Sequence, residues 1–203
     1  MKSGVLYSGG KDSSLAAIML GTYYEVELNT FVFDPDRPIP KTVERAAEVL
    51  GFPIKKRVFK EGLLDEVVEM VTACGYPNDA INHVHRTAVE TLAREYKVVG
   101  DGTRFNDRVP MLTRAEVQSL GHRTGCSYVR PLLGYVRPEV DRLVDRLLVV
   151  NYGETGTIEN GDYESEIRKA FRARGLDCAS LFPAHHDQSL VVGKKQEDSG
   201  ERR

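Results

Sequence analysis

The sequence predicts an α/β protein with a doubly wound, mostly parallel sheet and helices on both faces, a Rossmann-like three-layer sandwich. Three observations carry this expectation. Short apolar runs of strand length alternate with longer stretches of helical spacing over residues 1–150. A Gly-Gly turn joins the first apolar run to the first helical one. Polar residues gather just after the apolar runs, where an open parallel sheet places its ligands.

Taken in order, Gly4–Tyr7 reads as a buried strand and the stretch from Leu15 to Leu20 as a helix. Glu25–Phe33 reads as a second strand, ended by Asp34-Pro35-Asp36. Lys41–Leu50 places Val43, Ala46, Ala47 and Leu50 at helical spacing, with Gly51 as a stop. Ile54–Phe59 reads as a strand, Leu63–Val71 as a helix, and Asn82–Tyr96 as a further helix. His83 and His85 stand two apart, so they share no helix face and make a poor chelating pair. They are expected to be solvated or at a helix end. Lys97–Gly100 is a short central strand running into the polar loop Asp101–Asp107. Val140, Leu143, Val144, Leu147 and Leu148 form an apolar stripe on a helix that begins at Arg137-Pro138-Glu139. Residues 151–163 turn to Gly and polar residues and read as a linker. Tyr163–Arg174 reads as a charged helix, and Leu181–Val192 is too apolar for a plain tail and is expected to pack back near the site. The domain expectation is therefore 1–150 as the main domain, 151–193 as a helical extension packed on it, and 194–203 as a disordered polar tail.

The chain has 203 residues, a formal net charge of −2 and three well-separated cysteines, Cys74, Cys126 and Cys178. That length buries a core without disulfides or metals. Bulk charge does not announce a nucleic-acid binder, although the run from Arg104 to Arg146 holds eight arginines against five acids. Sparse cysteines, no leader before the first strand and no bilayer-length apolar run lead to the expectation of a cytoplasmic protein.

Chemistry concentrates in Tyr7-Ser8-Gly9-Gly10-Lys11-Asp12-Ser13-Ser14. Two glycines let an anion approach the main chain, and the helix start supplies unpaired N–H groups and a favourable dipole. This is a phosphate cradle in which Lys11 would neutralise charge and Asp12 would hold Mg²⁺ or orient another group. It is neither a Walker loop, because Asp12 follows Lys11, nor a Gly-x-Gly-x-x-Gly turn. The octet resembles the SGGxDS loop of the PP-loop (N-type) ATP pyrophosphatases, whose fold is the adenine nucleotide alpha hydrolase-like one.

The resemblance implies that Ser8, Gly9, Gly10, Lys11, Asp12, Ser13 and Ser14 bind ATP phosphates, that Phe31, Val32 and Phe33 flank adenine, and that Gly102 and Thr103 complete the nucleotide site. Asp107 would join Asp12 in holding Mg²⁺. Tyr128-Val129-Arg130-Pro131-Leu132 and Arg137-Pro138-Glu139 resemble segments of the tRNA thiolase and tRNA lysidine ligase branches. Arg130 would then address a phosphate or, equally, form an ion pair at a strand edge. The implied catalytic set is Lys11, Asp12, Asp107 and Arg130, and the implied reaction adenylates a substrate carbonyl or carboxylate, releases pyrophosphate, and lets sulfur or nitrogen displace AMP. The best substrate is tRNA, with a sulfur donor or a glutaminase as partner and a homodimer as assembly. An amide-forming ligase fed with ammonia and a non-catalytic ATP-binding module are the competing readings. Cys74, Cys126 and Cys178 lack a Cys-x-x-Cys pair, so an iron–sulfur cluster is the less favoured cofactor and inert thiols the ordinary one. His186 with Asp187 reads either as an acid–base pair or as a capped turn, and His185 carries no assignment.

Overall fold

Five parallel strands in the order β3-β2-β1-β4-β5 form the central layer of the computed structural model, which describes residues 1–154, 157–182 and 187–195. The first half runs β1 (Lys2–Leu6), α1 (Lys11–Gly21), β2 (Glu25–Val32), α2 (Lys41–Leu50), β3 (Ile54–Val58), α3 (Leu63–Cys74) and α4 (Asn78–Ala93). The second half runs β4 (Val98–Gly100), α5 (Arg114–Thr124), β5 (Ser127–Val129), α6 (Arg137–Leu147), β6 (Leu148–Glu154), α7 (Tyr163–Ala173), α8 (Cys178–Leu181) and β7 (Asp187–Lys194).

Strand alternation sends successive side chains to opposite faces, and each face has its own core. Val5 and its register partner Leu28 join Leu15, Leu20, Val43, Val140 and Val144 on the side of α1, α2 and α6. Leu6 and Phe31 join Val67, Val84, Leu92, Ile167 and Phe171 on the side of α3, α4 and α7. Both faces being covered, the strands read as nearly continuous apolar runs.

Three features differ from the sequence reading. The segment after residue 150 is not only helical: β6 begins at Leu148 and pairs antiparallel with β7 in a second, two-stranded sheet. Its alternation is blurred by Asn151, Gly153 and a bulge at Val149/Val150, so a periodicity scan reads a linker. Helix α5 went unseen because Leu120 is its one buried residue, leaving no apolar stripe; a capping box between Thr113 and Glu116 marks its start instead. Lys194, placed in the expected tail, ends β7 and donates to the Leu50 carbonyl at 2.7 Å, while residues 196–203 lie outside the described residues. No helix among the described residues is long and apolar enough to cross a membrane.

Candidate functional site

β1 is flanked by β2 on one side and β4 on the other, so the crevice beyond the carboxyl ends of β1 and β4 is the switch point of the sheet. A cavity of about 480 Å³ opens there. Its walls come from five places: Leu6, Tyr7 and Ser8 after β1; Asp12 and Ser13 in the first turn of α1; Asp101–Arg104 and Asp107–Pro110 after β4; Pro77, Asn78, Ile81 and His85 of α4 and the turn before it; and Gly161–Glu164. Asn29 and Phe31 of β2 complete it.

The loop after β1 turns through Gly9 at φ +83°, where a side chain would be strained. Gly10 caps α1 without a side-chain hydrogen bond, and the N–H groups of Asp12 and Ser13 have no protein partner among the described residues. These are the orphan donors of a helix start. Gly102 lies against them so closely that a Cβ would stand 2.6 Å from Ser13 N. Serines line the turn: Ser13 Oγ donates to Gly10 O at 3.1 Å and accepts from Ser8 N at 3.4 Å. The C-terminal part of the chain holds the loop from outside. Val191 N donates to Gly9 O at 2.9 Å, Lys11 N to Ser189 Oγ at 3.1 Å, and Gly161 N to Ser8 O at 2.8 Å.

The charges are arranged as a closed set. Arg104 pairs with Asp107 at 2.7 Å and reaches Asp12 at 3.6 Å. Burial opposes its charge, but Asp107, Asp12 and Asp141 together hold its pKa above the ordinary value. Lys11 is buried and does not line the cavity; its ammonium lies 2.7 Å from Asp12 Oδ1 and 2.9 Å from Asp141 Oδ1, the latter contact an ion pair without hydrogen-bond alignment. The second of these contacts ties Lys11 to α6.

The residues singled out from sequence divide accordingly. Ser8, Asp12, Ser13, Phe31, Gly102, Thr103 and Asp107 line the cavity; Gly9 and Gly10 in the loop, and Lys11 and Ser14 in the first turn of α1, do not. Ser14 is fully buried, its hydroxyl donating to Tyr7 Oη at 3.3 Å. Val32 and Phe33 do not reach the cavity, because the carboxyl end of β2 is closed by α7: Phe33 N donates to Glu166 Oε2 at 3.1 Å and Phe59 N takes the Val32 carbonyl. Arg130 does not reach it either. Its guanidinium donates to the Leu112 carbonyl at 3.0 Å and lies over the Tyr128 ring, so neither a phosphate contact nor an edge ion pair describes it.

Cys74 is exposed at the end of α3, whereas Cys126 before β5 and Cys178 in α8 are buried. No group of three or more His, Cys, Asp or Glu that would hold a metal forms among the described residues. His185 and His186 lie outside the described residues.

His85, expected from the sequence to be solvated or at a helix end, is 3% exposed, stands mid-helix in α4 and is one of the residues that line the cavity. Its Nε2 is 2.7 Å from Asp101 Oδ2, and Tyr128 Oη reaches the same carboxylate oxygen. Thr103 N donates to Asp101 Oδ1 at 2.9 Å. Burial works against the Asp101 charge, yet the hydrogen bond of His85, the charge of that ring when it is protonated, then Tyr128 and the Thr103 N–H, hold its carboxyl below the usual range. Burial, and then the Asp101 charge, push the Tyr128 phenol well up; burial likewise raises Tyr163, whose ring centre is 6.4 Å from that of His85. His85 and Asp101 are 16 residues apart, and only the packing of α4 on β4 joins them.

Comparison with known proteins places the whole architecture. The chain is 39% identical over 194 residues to uncharacterized protein MJ0690 of Methanocaldococcus jannaschii, spanning 95% of this chain and 96% of that one. It superposes with a TM-score of 0.87 on the crystal structure of a predicted subunit of tRNA methyltransferase from Methanocaldococcus jannaschii, at 38% identity and covering 97% of this chain and 99% of that one. A family model described as a family of unknown function, DUF7411, matches residues 1–193. With the match running from the first strand into β7, the chain belongs to the DUF7411 family.

Proposed function

We propose that this protein binds ATP at the β1–α1 loop and transfers its adenylyl group to a carbonyl or carboxylate oxygen of a tRNA-borne substrate, releasing pyrophosphate. The observation that carries this reading is the pair of orphan N–H groups of Asp12 and Ser13, aligned by a glycine turn at the switch point of the sheet and bordering a cavity of about 480 Å³. Unpaired helix-start donors favour a phosphate chain, and they stabilise the charge that grows on leaving pyrophosphate. Arg104 adds a fixed positive charge on the other wall. The SGGxDS resemblance of the loop and the predicted subunit of tRNA methyltransferase among its structural relatives support ATP and tRNA respectively.

Asp12 and Asp107 touch the same guanidinium and offer hard oxygen donors, so with phosphate oxygens they fit Mg²⁺, which takes one or two carboxylates in such sites. Bound there, the ion would neutralise phosphate charge. Arg104 is the group that each carboxylate would release or share. The cysteines are dispersed, so the sulfur or nitrogen that displaces AMP comes from a separate donor rather than from a cluster of the described thiols.

The test is a product assay with α-labelled ATP, Mg²⁺, bulk tRNA and ammonium or hydrosulfide as the nucleophile, with pyrophosphate measured separately. AMP and pyrophosphate are the expected products, with Asp12→Asn and Asp107→Asn each lowering their rate by about 10²-fold or more, the scale of a lost charge-stabilising group. ADP with inorganic phosphate, or products unaltered in both variants, overturns the proposal.

A further inference from the structure

The cavity holds a second chemical device that the phosphate loop does not use. His85 and Asp101 come from different elements and are each at most 3% exposed, yet both border the cavity. Asp101 is ionised, and an ionised carboxylate only accepts hydrogen bonds. Its Oδ2 is in contact with both Tyr128 Oη and His85 Nε2, so both must donate. A neutral imidazole that donates from Nε2 keeps its lone pair on Nδ1. Nδ1 has no hydrogen-bond partner among the described residues, and His85 is one of the residues that line the cavity. A carboxylate that fixes one tautomer so that the opposite nitrogen faces a reacting space is the arrangement of a general base.

We infer that His85 is the base of the transfer step and that Asp101, with Tyr128, is its positioning residue; this rests on the adenylation proposed above. Once the substrate oxygen carries AMP, ammonia or hydrosulfide adds to the adjoining carbon. The new carbon–nitrogen or carbon–sulfur bond forms, the proton of the nucleophile goes to Nδ1, and the carbon–oxygen bond breaks with AMP leaving as the anion. No electron is gained or lost overall. Adenylation itself requires no base at this place, so removing Nδ1 separates the two halves of the reaction.

His85→Gln is the suitable variant, because the glutamine amide approximates Nε2 and keeps Asp101 paired while Nδ1 disappears. With α-labelled ATP, bulk tRNA and ammonium or hydrosulfide, H85Q is expected to bind ATP within about twofold of the unaltered protein and to release pyrophosphate in a first turnover. Free AMP should then appear about 10²-fold or more slowly, leaving adenylate on the tRNA, in keeping with the usual contribution of a positioned base. Asp101→Asn should show the same block. Imidazole ¹⁵N shifts of the unaltered protein should report Nε2–H, and D101N should mix the tautomers, which a purely structural role for Asp101 would not do. Normal AMP release from H85Q, loss of ATP binding in folded H85Q, or an Nδ1–H tautomer overturns the inference while pyrophosphate from the unaltered protein keeps adenylation standing. No pyrophosphate from the unaltered protein overturns both.

Discussion

At the residue scale the site is built by close approach and by pairing, and each makes a prediction. Gly102 is held against backbone atoms of Asp12 and Ser13 that cannot move aside, so Gly102→Ala should cost about 1–3 kcal/mol, the range for overpacking, read as a lowered urea midpoint. Asp101 predicts a pH dependence. Its carboxyl titrates below the ordinary 3.8 in the folded protein. A depressed carboxylate contributes stability above its unfolded pKa and loses it as pH falls through the folded one. The stability difference between the unaltered protein and Asp101→Asn should therefore be constant near neutrality and shrink below about pH 4 in urea titrations followed by circular dichroism. Of the residues that line the cavity, Ser8, Asp12 and Ser13 were legible because a turn at a strand end leaves a local signature, while Gly102 and Thr103 were singled out by the resemblance. His85 was not: a histidine on a helix has the same sequence appearance whether its neighbour is water or a buried aspartate from another element.

At the element scale, the C-terminal ribbon of β6 and β7 serves as a brace on the β1–α1 loop. Leu190 is 8% exposed and sits where a Cβ on Gly9 would meet it at 3.2 Å, and Val191 N holds the Gly9 carbonyl. Leu190→Ala should cost about 2 kcal/mol or more by leaving a cavity. Amide exchange of Gly9, Gly10 and Lys11 should quicken more than that of central strand β1. Helix α5 is fastened differently. Its capping box is its main local support, so Thr113→Ala should cost about 1 kcal/mol in thermal or urea unfolding. The parallel βα units were legible as elements because buried strands and amphipathic helices differ in period. β6 and α5 were not, since one has a bulge and a glycine and the other almost no buried face.

At the scale of the whole molecule, two cores clasp one sheet and leave its carboxyl edge open at the switch point, where the cavity lies. Arginines 104 and 108 border that cavity, within a stretch rich in arginine. Binding of bulk tRNA should accordingly weaken roughly tenfold or more between 50 and 200 mM salt in filter-binding assays, as phosphate contacts release counterions. Arg108→Ala should flatten that slope. By itself the sequence determined the layered α/β class, the strand–turn–helix junction and the sheet edge at which the cavity opens, because these follow from local periodicity and from turn chemistry within a few residues. Only the tertiary structure decided that Lys11 is tied to Asp141, that α7 closes the end of β2, and that His85 meets Asp101 in the cavity wall. Those contacts join residues brought together by packing between elements, and no spacing along a chain records which distant side chain a buried charge will meet.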